Sequence, residues 1–257
     1  MPIELERAGG TAVLTVNRPD ALNALDLSHA AELRDRLSEL AGDQDVRAVI
    51  VTGVGEKAFV AGADIKYMQG LGVLEARRWA ELGHGIAELL ETMPKPTVAA
   101  VNGYALGGGC EVALACDIRL ASTRARLGQP EVNLGIFPGW GGSVRLARTT
   151  SLGFAKELIL TGRMVEAEEA LARGLVNAVV KPEELMPRAL ELCGGFAAKS
   201  PVSLAYAKEA TNLALQGDHR ANLATEARLF SILFGTEDQK EGMAAFSDKR
   251  EPEFRGR

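Results

Sequence analysis

Gly107-Gly108-Gly109-Cys110-Glu111 is the stretch of this chain richest in chemical information. The apolar run Val98-Ala99-Ala100-Val101 precedes it and reads as a buried strand, and Val112-Ala113-Leu114-Ala115 follows as the first turns of a buried helix. Three glycines there leave backbone N–H groups bare at a helix start, where no helical acceptor exists and the helix dipole presents its positive end. A negative oxygen is drawn to such a place. Glu111 lies in the same helix start among apolar neighbours, so a semi-buried carboxylate stands beside an anion-stabilising turn. That pairing suits chemistry at a carbonyl. The simpler reading is a tight strand-to-helix turn with a capping glutamate, and the five residues taken alone favour it.

Three further motifs change that balance. Phe59-Val60-Ala61-Gly62-Ala63-Asp64-Ile65-Lys66 comes before the glycine triplet. Leu127-Gly128-Gln129-Pro130-Glu131 and Gly135-Ile136-Phe137-Pro138-Gly139-Trp140-Gly141-Gly142 come after it. In this order the four motifs resemble the crotonase superfamily, and within it the enoyl-CoA hydratases. The likeness runs from Asn17-Arg18-Pro19 and Ala21-Leu22-Asn23-Ala24-Leu25 to Glu241-Gly242-Met243-Ala244-Ala245-Phe246.

The resemblance implies hydration of a 2-enoyl thioester. Its carbonyl oxygen gains charge as water attacks C3, and two preorganised amides hold that charge. The resemblance assigns them to Ala63 and Gly108. It makes Glu111 the residue that activates water and Glu131 the one that gives a proton to C2. Twenty residues separate these acids, and sequence alone does not make them face each other; neighbouring carboxyls raise each other's proton affinity. The plain alternative for each is an acid in a helix's first turn. Ala21, Leu22, Ala24, Ala61, Asp64, Ile65, Lys66, Gly107 and Gly139 are expected along the coenzyme A and acyl groove. Trp140 reads equally as acyl-pocket wall or core aromatic. Phe137 carries the same ambiguity, and Gln129 reads as a surface amide before a site support. Lys249, with Phe230 and Phe246, is expected to reach the ligand of a neighbouring subunit. No cofactor is expected, since coenzyme A is part of the substrate.

These residues need elements to hold them. Residues 3–6 and 11–16 around Ala8-Gly9-Gly10 read as a hairpin. Leu33, Leu37 and Leu40 have helical spacing, as do Leu82, Ile86, Leu89 and Leu90 before Pro94. Strands are expected at residues 48–53, 98–101 and 118–121, and a helix at 143–148. The alternation argues a parallel α/β domain with function on loops at strand ends. Beyond residue 201 the pattern is only helical, at 202–215, 222–234 and 236–246. The resemblance adds a spiral core of ββα turns, residues 1–195, and a C-terminal helical region, residues 196–257, that forms a trimer or a pair of trimers.

Bulk properties set the outer bounds. The chain has 257 residues, 47% hydrophobic and 25% charged, as in ordinary globular domains. With 34 acidic against 29 basic residues, its net charge of −5 gives no general pull toward nucleic acid or an anionic membrane. Three cysteines show no metal spacing, and Met1-Pro2-Ile3-Glu4 opens no signal-like segment, so a cytoplasmic location is expected. Two other functions compete with hydration. An enoyl-CoA isomerase or related lyase would keep an acid near Glu131 and lack one at Glu111. A noncatalytic CoA-thioester-binding or RNA-binding member would lack a glutamate or show a basic face.

Overall fold

The computed structural model describes residues 3–257; Met1 and Pro2, read above as part of the opening segment, lie outside the described residues. The chain begins with β1 (Ile3–Ala8) and β2 (Thr11–Val16), then α1 (Leu27–Gly42), β3 (Ala48–Gly53), β4 (Ala58–Val60), α2 (Ile65–Met68) and α3 (Val73–Thr92). Next come β5 (Thr97–Val101), β6 (Tyr104–Leu106), α4 (Gly108–Ala115), β7 (Ile118–Ser122), β8 (Arg126–Gly128), α5 (Gly142–Thr149) and α6 (Leu152–Thr161). The remainder is β9 (Met164–Glu166), α7 (Ala167–Ala172), β10 (Ala178–Val180), α8 (Leu185–Ala197), α9 (Pro201–Asn212), α10 (His219–Leu233) and α11 (Glu237–Asp248).

The strands form two sheets, one of six strands in the order β1-β2-β3-β5-β7-β10 and one of four in the order β4-β6-β8-β9. Pairing is parallel except for β1 with β2 and β8 with β9. The winding follows from this order. The chain lays a strand in the large sheet, a short strand in the small one, then a helix, three times over: β3-β4-α3, β5-β6-α4 and β7-β8-α5. This is the ββα spiral that the resemblance implied.

The central strands are apolar on both faces, so alternate residues feed two cores. Val49, Val51, Ala99 and Val101 point into the larger core, shared with α1, α3 and α4. Ala48, Ile50, Val98 and Ala100 face the smaller one, covered by Leu185, Ala189 and Cys193 of α8. The boundary expected at residues 195/196 falls in the last turn of α8.

Several expectations need correction. Sequence periodicity passed over β4, β6, β8, β9 and β10, each of three residues, because three residues are too few for an alternating pattern to register. The helix expected over 202–215 stops at Asn212 and tightens into a 3-10 turn at Leu213–Leu215. Among the described residues, no helix is long and apolar enough to cross a membrane.

Candidate active site

The small sheet and α4 explain the glycine triplet. β6 runs into Gly107, whose φ of +50° places it where L side chains are strained. Its amide donates to the Gly128 carbonyl of β8 at 2.9 Å, which fixes the turn against the sheet. A Cβ on Gly108 would lie 3.2 Å from the Trp140 ring, and one on Gly109 would overlap the Val60 carbonyl of β4. The triplet therefore brings the start of α4 onto β4 and under the Trp140 indole. Gly108 opens the helix, where its amide has no acceptor one turn back.

The second expected amide belongs to the segment after β4. Leu25 and Ala63 form a parallel bridge, made by the Leu25 amide to the Gly62 carbonyl (2.9 Å) and the Asp64 amide to the Leu25 carbonyl (2.7 Å). In that pattern the N–H of Ala63 itself turns away from Leu25. A Cβ on Gly62 would lie 3.1 Å from the Leu106 carbonyl, so this loop adjoins the Gly107 turn. Asp64 caps α2 and pairs with Arg18 at 2.7 Å, which draws its carboxyl below the ordinary value.

A cavity of about 540 Å³ opens where these segments meet. Ala61, Ala63, Ile65, Gly107, Gly108, Glu111, Glu131, Gly139 and Trp140 all line it. Ala21, Leu22, Ala24, Asp64 and Lys66 do not. Ala21 and Leu22 sit at the end of a 3-10 turn, Pro19–Ala21, and the Leu22 carbonyl accepts the Ala61 amide at 3.1 Å, so they flank the loop rather than the cavity. Lys249 caps the C-terminus of α11 and is not part of this cavity wall in the single chain. Sequence reading missed Met68, Leu71, Ala76, Trp79 and Ala80, which supply an apolar wall from α2, α3 and the turn between them. Their helical spacing is indistinguishable from ordinary core spacing.

Glu111 is 2% exposed. Its Oε1 accepts the Trp140 amide at 2.7 Å and the Gly142 amide at 2.6 Å. The Gly142 amide opens α5 and the Trp140 amide lies in the turn just before it, and both bonds fall on one oxygen, which leaves Oε2 free of them. Burial pushes the carboxyl up to about 7; the two amides and the nearby Arg145 hold it back from rising further. Glu131 sits in a 3-10 turn, Pro130–Leu134, with its carboxyl against Gly107. Burial again pushes it up to about 7, and the charge of Glu111 adds to the rise.

Gln129 is a correction. It is fully buried rather than on the surface, wedged where a Cβ on Gly142 would meet its amide at 2.5 Å. Among the described residues, the buried side-chain polar atoms without a hydrogen-bond partner are both amide atoms of Gln129 and Glu131 Oε2. Trp140 fits both halves of its reading: it is 3% exposed, packs against Trp79 with ring centres 4.8 Å apart and planes tilted by 55°, and still lines the cavity. Phe137 is 69% exposed at the cavity rim. The three cysteines are free and buried, and no cluster of His, Cys, Asp and Glu among the described residues could hold a metal.

Comparison with known proteins yields concordant likenesses. The family model for enoyl-CoA hydratase/isomerase matches residues 6–257. A short-chain-enoyl-CoA hydratase of Clostridium acetobutylicum is 49% identical over 249 residues, 97% of this chain and 95% of that protein. A crotonyl-CoA hydratase of Syntrophomonas wolfei is 46% identical over 252 residues, 98% of this chain and 97% of the relative. The crystal structure of an enoyl-CoA hydratase from Bacillus anthracis superposes with a TM-score of 0.97 at 38% identity, over 100% of each chain.

The raised proton affinity of Glu111 has a consequence for stability. Its carboxyl goes from an ordinary 4.5 to about 7 on folding, so the fold binds this proton more tightly than the unfolded chain does. That contribution is complete below pH 4.5 and is lost as pH rises through about 7. Glu111→Gln keeps an oxygen for the two amides and removes the buried charge. The variant is expected to match wild type in denaturant unfolding at pH 4.5 and to exceed it by about 1–3 kcal/mol at pH 8. A difference independent of pH would contradict this account.

Proposed function

The chain belongs to the enoyl-CoA hydratase/isomerase family, and we propose that it is an enoyl-CoA hydratase, adding water reversibly and syn across a trans-2-enoyl-CoA. One observation carries the reading: two buried carboxyls, Glu111 and Glu131, line a single cavity, and both hold their protons up to about pH 7. In this reading the thioester oxygen lies at the Ala63 and Gly108 amides, which stabilise the enolate oxygen as C3 is attacked. Glu111, ionised, takes a proton from water through Oε2 while the hydroxyl bonds to C3. Glu131, protonated, delivers its proton to C2. The product is a 3-hydroxyacyl-CoA, and the proton gained by Glu111 returns to Glu131 between turnovers.

Double-bond migration moves a proton between two carbons and needs no water. The amide-bound Glu111 has a role in hydration that isomerisation leaves empty, so hydratase is the better reading. A noncatalytic role leaves two buried, raised carboxyls unexplained.

The groove beside Ala21, Leu22, Ala24, Asp64 and Lys66 is the proposed path of coenzyme A. α10 has no buried residue, and Leu223, Phe230, Ile232, Phe234 and Phe246 are exposed on α10, α11 and the turn between them. Apolar surface of this extent supports subunit contacts through the C-terminal helices. A trimer or pair of trimers, with Lys249 reaching a neighbour's ligand, is the proposed assembly.

Trp140 carries a proposal on acyl length. Its ring fills a slot cut by Gly83, where any Cβ would overlap the indole, and its Nε1 donates to the Trp79 carbonyl at 3.1 Å. A ring so fixed limits the depth of the apolar wall, which favours short acyl chains. The names of the Clostridium and Syntrophomonas relatives point the same way.

Loss of the conjugated thioester absorbance of crotonyl-CoA tests the reading. Wild type is expected to turn over with a bell-shaped pH profile of kcat/KM centred near 7, and Glu111→Gln and Glu131→Gln each to lose about 10²–10⁴-fold in kcat. No turnover of crotonyl-CoA or longer enoyl-CoAs would move the assignment to isomerase. Trp140→Leu, which keeps the backbone amide, is expected to raise kcat/KM for longer chains relative to crotonyl-CoA by about 10-fold. An unchanged ranking would make Trp140 core packing alone. Light scattering is expected to give a mass of three or six chains, and a monomer would overturn the assembly.

A further inference from the structure

Arg145 stands against the electrostatics of its own helix. It belongs to the first turn of α5, with its backbone amide donating to the Gly141 carbonyl at 2.9 Å, and its side chain folds back over the helix start. There Nη1 donates to the Trp140 carbonyl at 2.8 Å. The guanidinium occupies the space that a Cβ on Gly141 would need, and Gly141 has a φ of +100°, open to glycine. Nε and Nη2 form a bidentate pair with Glu91 of α3 at 2.7 and 2.8 Å. A cation is favourable at the last turn of a helix and unfavourable at the first. Charge-assisted bonds to Glu91 and to the Trp140 carbonyl offset that penalty, so the arrangement needs a reason outside α5.

The reason lies in the peptide that Arg145 grips. The Trp140 carbonyl belongs to the peptide joining Trp140 to Gly141. The amides that hold Glu111 belong to the peptides on either side, at Trp140 N and Gly142 N. Peptides are planar, so fixing the middle one leaves few torsions to move its neighbours.

We propose that Arg145 is a positioning residue: anchored by Glu91, it holds the Trp140 carbonyl so that both flanking amides stay aimed at Glu111 Oε1. It rests on the hydratase reading only for its kinetic readout. Of the titratable and charged groups nearby, Glu131 shares the cavity, Cys110 adjoins Glu111 on α4, Arg145 of α5 pairs with Glu91 of α3, and His84 of α3 lies against Gly141. Arg145 is the cation whose charge opposes the effect of burial on Glu111.

Arg145→Met, Arg145→Lys and Glu91→Gln in the full chain test this. Two readouts apply: the pH profile of kcat/KM with crotonyl-CoA, and direct titration of carbon-13-labelled glutamate carboxyls by NMR. Arg145→Met is expected to move the Glu111 titration up by about one pH unit. It should lower kcat about 10- to 100-fold with KM within about 3-fold. Arg145→Lys should restore the titration but only part of kcat, since it keeps the charge without the planar fork. Glu91→Gln keeps the guanidinium but releases its anchor, so the titration should move up by less than in Arg145→Met and kcat should fall about 10-fold. An unmoved titration in Arg145→Met overturns the proposal, as does a Glu91→Gln variant with wild-type titration and kcat, or a loss of kcat matched by loss of folded protein. Should Arg145→Met fail to fold, the other two variants decide. Should wild type not hydrate crotonyl-CoA, the hydratase reading falls and the carboxyl titration still decides on Arg145.

Discussion

Glu111 Oε1 accepts two backbone amides, at 2.7 Å from Trp140 and 2.6 Å from Gly142, in a site that solvent barely reaches. Burying a carboxyl costs several kcal/mol unless donors replace water. The start of α5 supplies two donors and the positive end of a helix dipole. They offset the cost in part, which is why the carboxyl settles near 7 rather than far above it. The rest of the site is organised around that compromise. α4 carries the side chain, α5 carries the donors, and α3 carries Glu91, the anchor of the arginine at the start of α5. Three helices from separate turns of the spiral are joined at one oxygen.

The double winding makes the junction possible. Each turn of the chain contributes a strand to the large sheet and a short one to the small sheet, and the chain leaves the small sheet toward the same region each time. Residues 61–64 follow β4, Gly107 follows β6, and Gln129 to Glu131 follow β8. Parallel neighbours in the small sheet therefore deliver an amide-bearing loop, a helix start and a second carboxyl side by side. The contacts are close enough to dictate residue type. Gly109 lies on the Val60 backbone, and Gly142 lies between Gln129 and Glu111.

This division explains what was legible in the sequence. β3 and β5 each carry a continuous run of four apolar residues, and α1 and α3 repeat apolar residues over several turns, so pattern reveals them. The small sheet is built from strands of three residues whose reason for pairing is the large sheet behind them, and no local signal announces it. The glycine triplet was readable as an anion-stabilising turn because glycine reports backbone conformation directly. That Glu111 and Glu131 share a cavity was not readable from residue types, since it depends on β6 pairing with β8; it came only through resemblance. Gln129 was misplaced on the surface because an amide carries no hydrophobic signal, even when sheet geometry closes over it. Arg145 carries no signal of its own within the expected helix at 143–148, because its meaning lies in folding back over Gly141 rather than outward.

The unpaired polar atoms fit the same logic. Leaving a buried donor or acceptor without a partner costs about 1–3 kcal/mol. Among the described residues, those atoms fall on Gln129 and Glu131, two positions apart and next to Glu111. Elsewhere among the described residues a buried charge finds partners: the ammonium of Lys95, 6% exposed, donates to the Leu40 and Asp43 carbonyls at 2.6 and 2.7 Å. A fold able to satisfy a buried lysine is not short of means to satisfy a glutamine. Of the two residues with unpaired atoms, Glu131 lines the cavity, where a bound reactant would meet its carboxyl, while Gln129 lies outside the cavity wall, packed against Gly142. At Glu131 a carboxyl held in a costly, dry position is the group that reactants reach, so binding them recovers part of that cost where it serves the reaction.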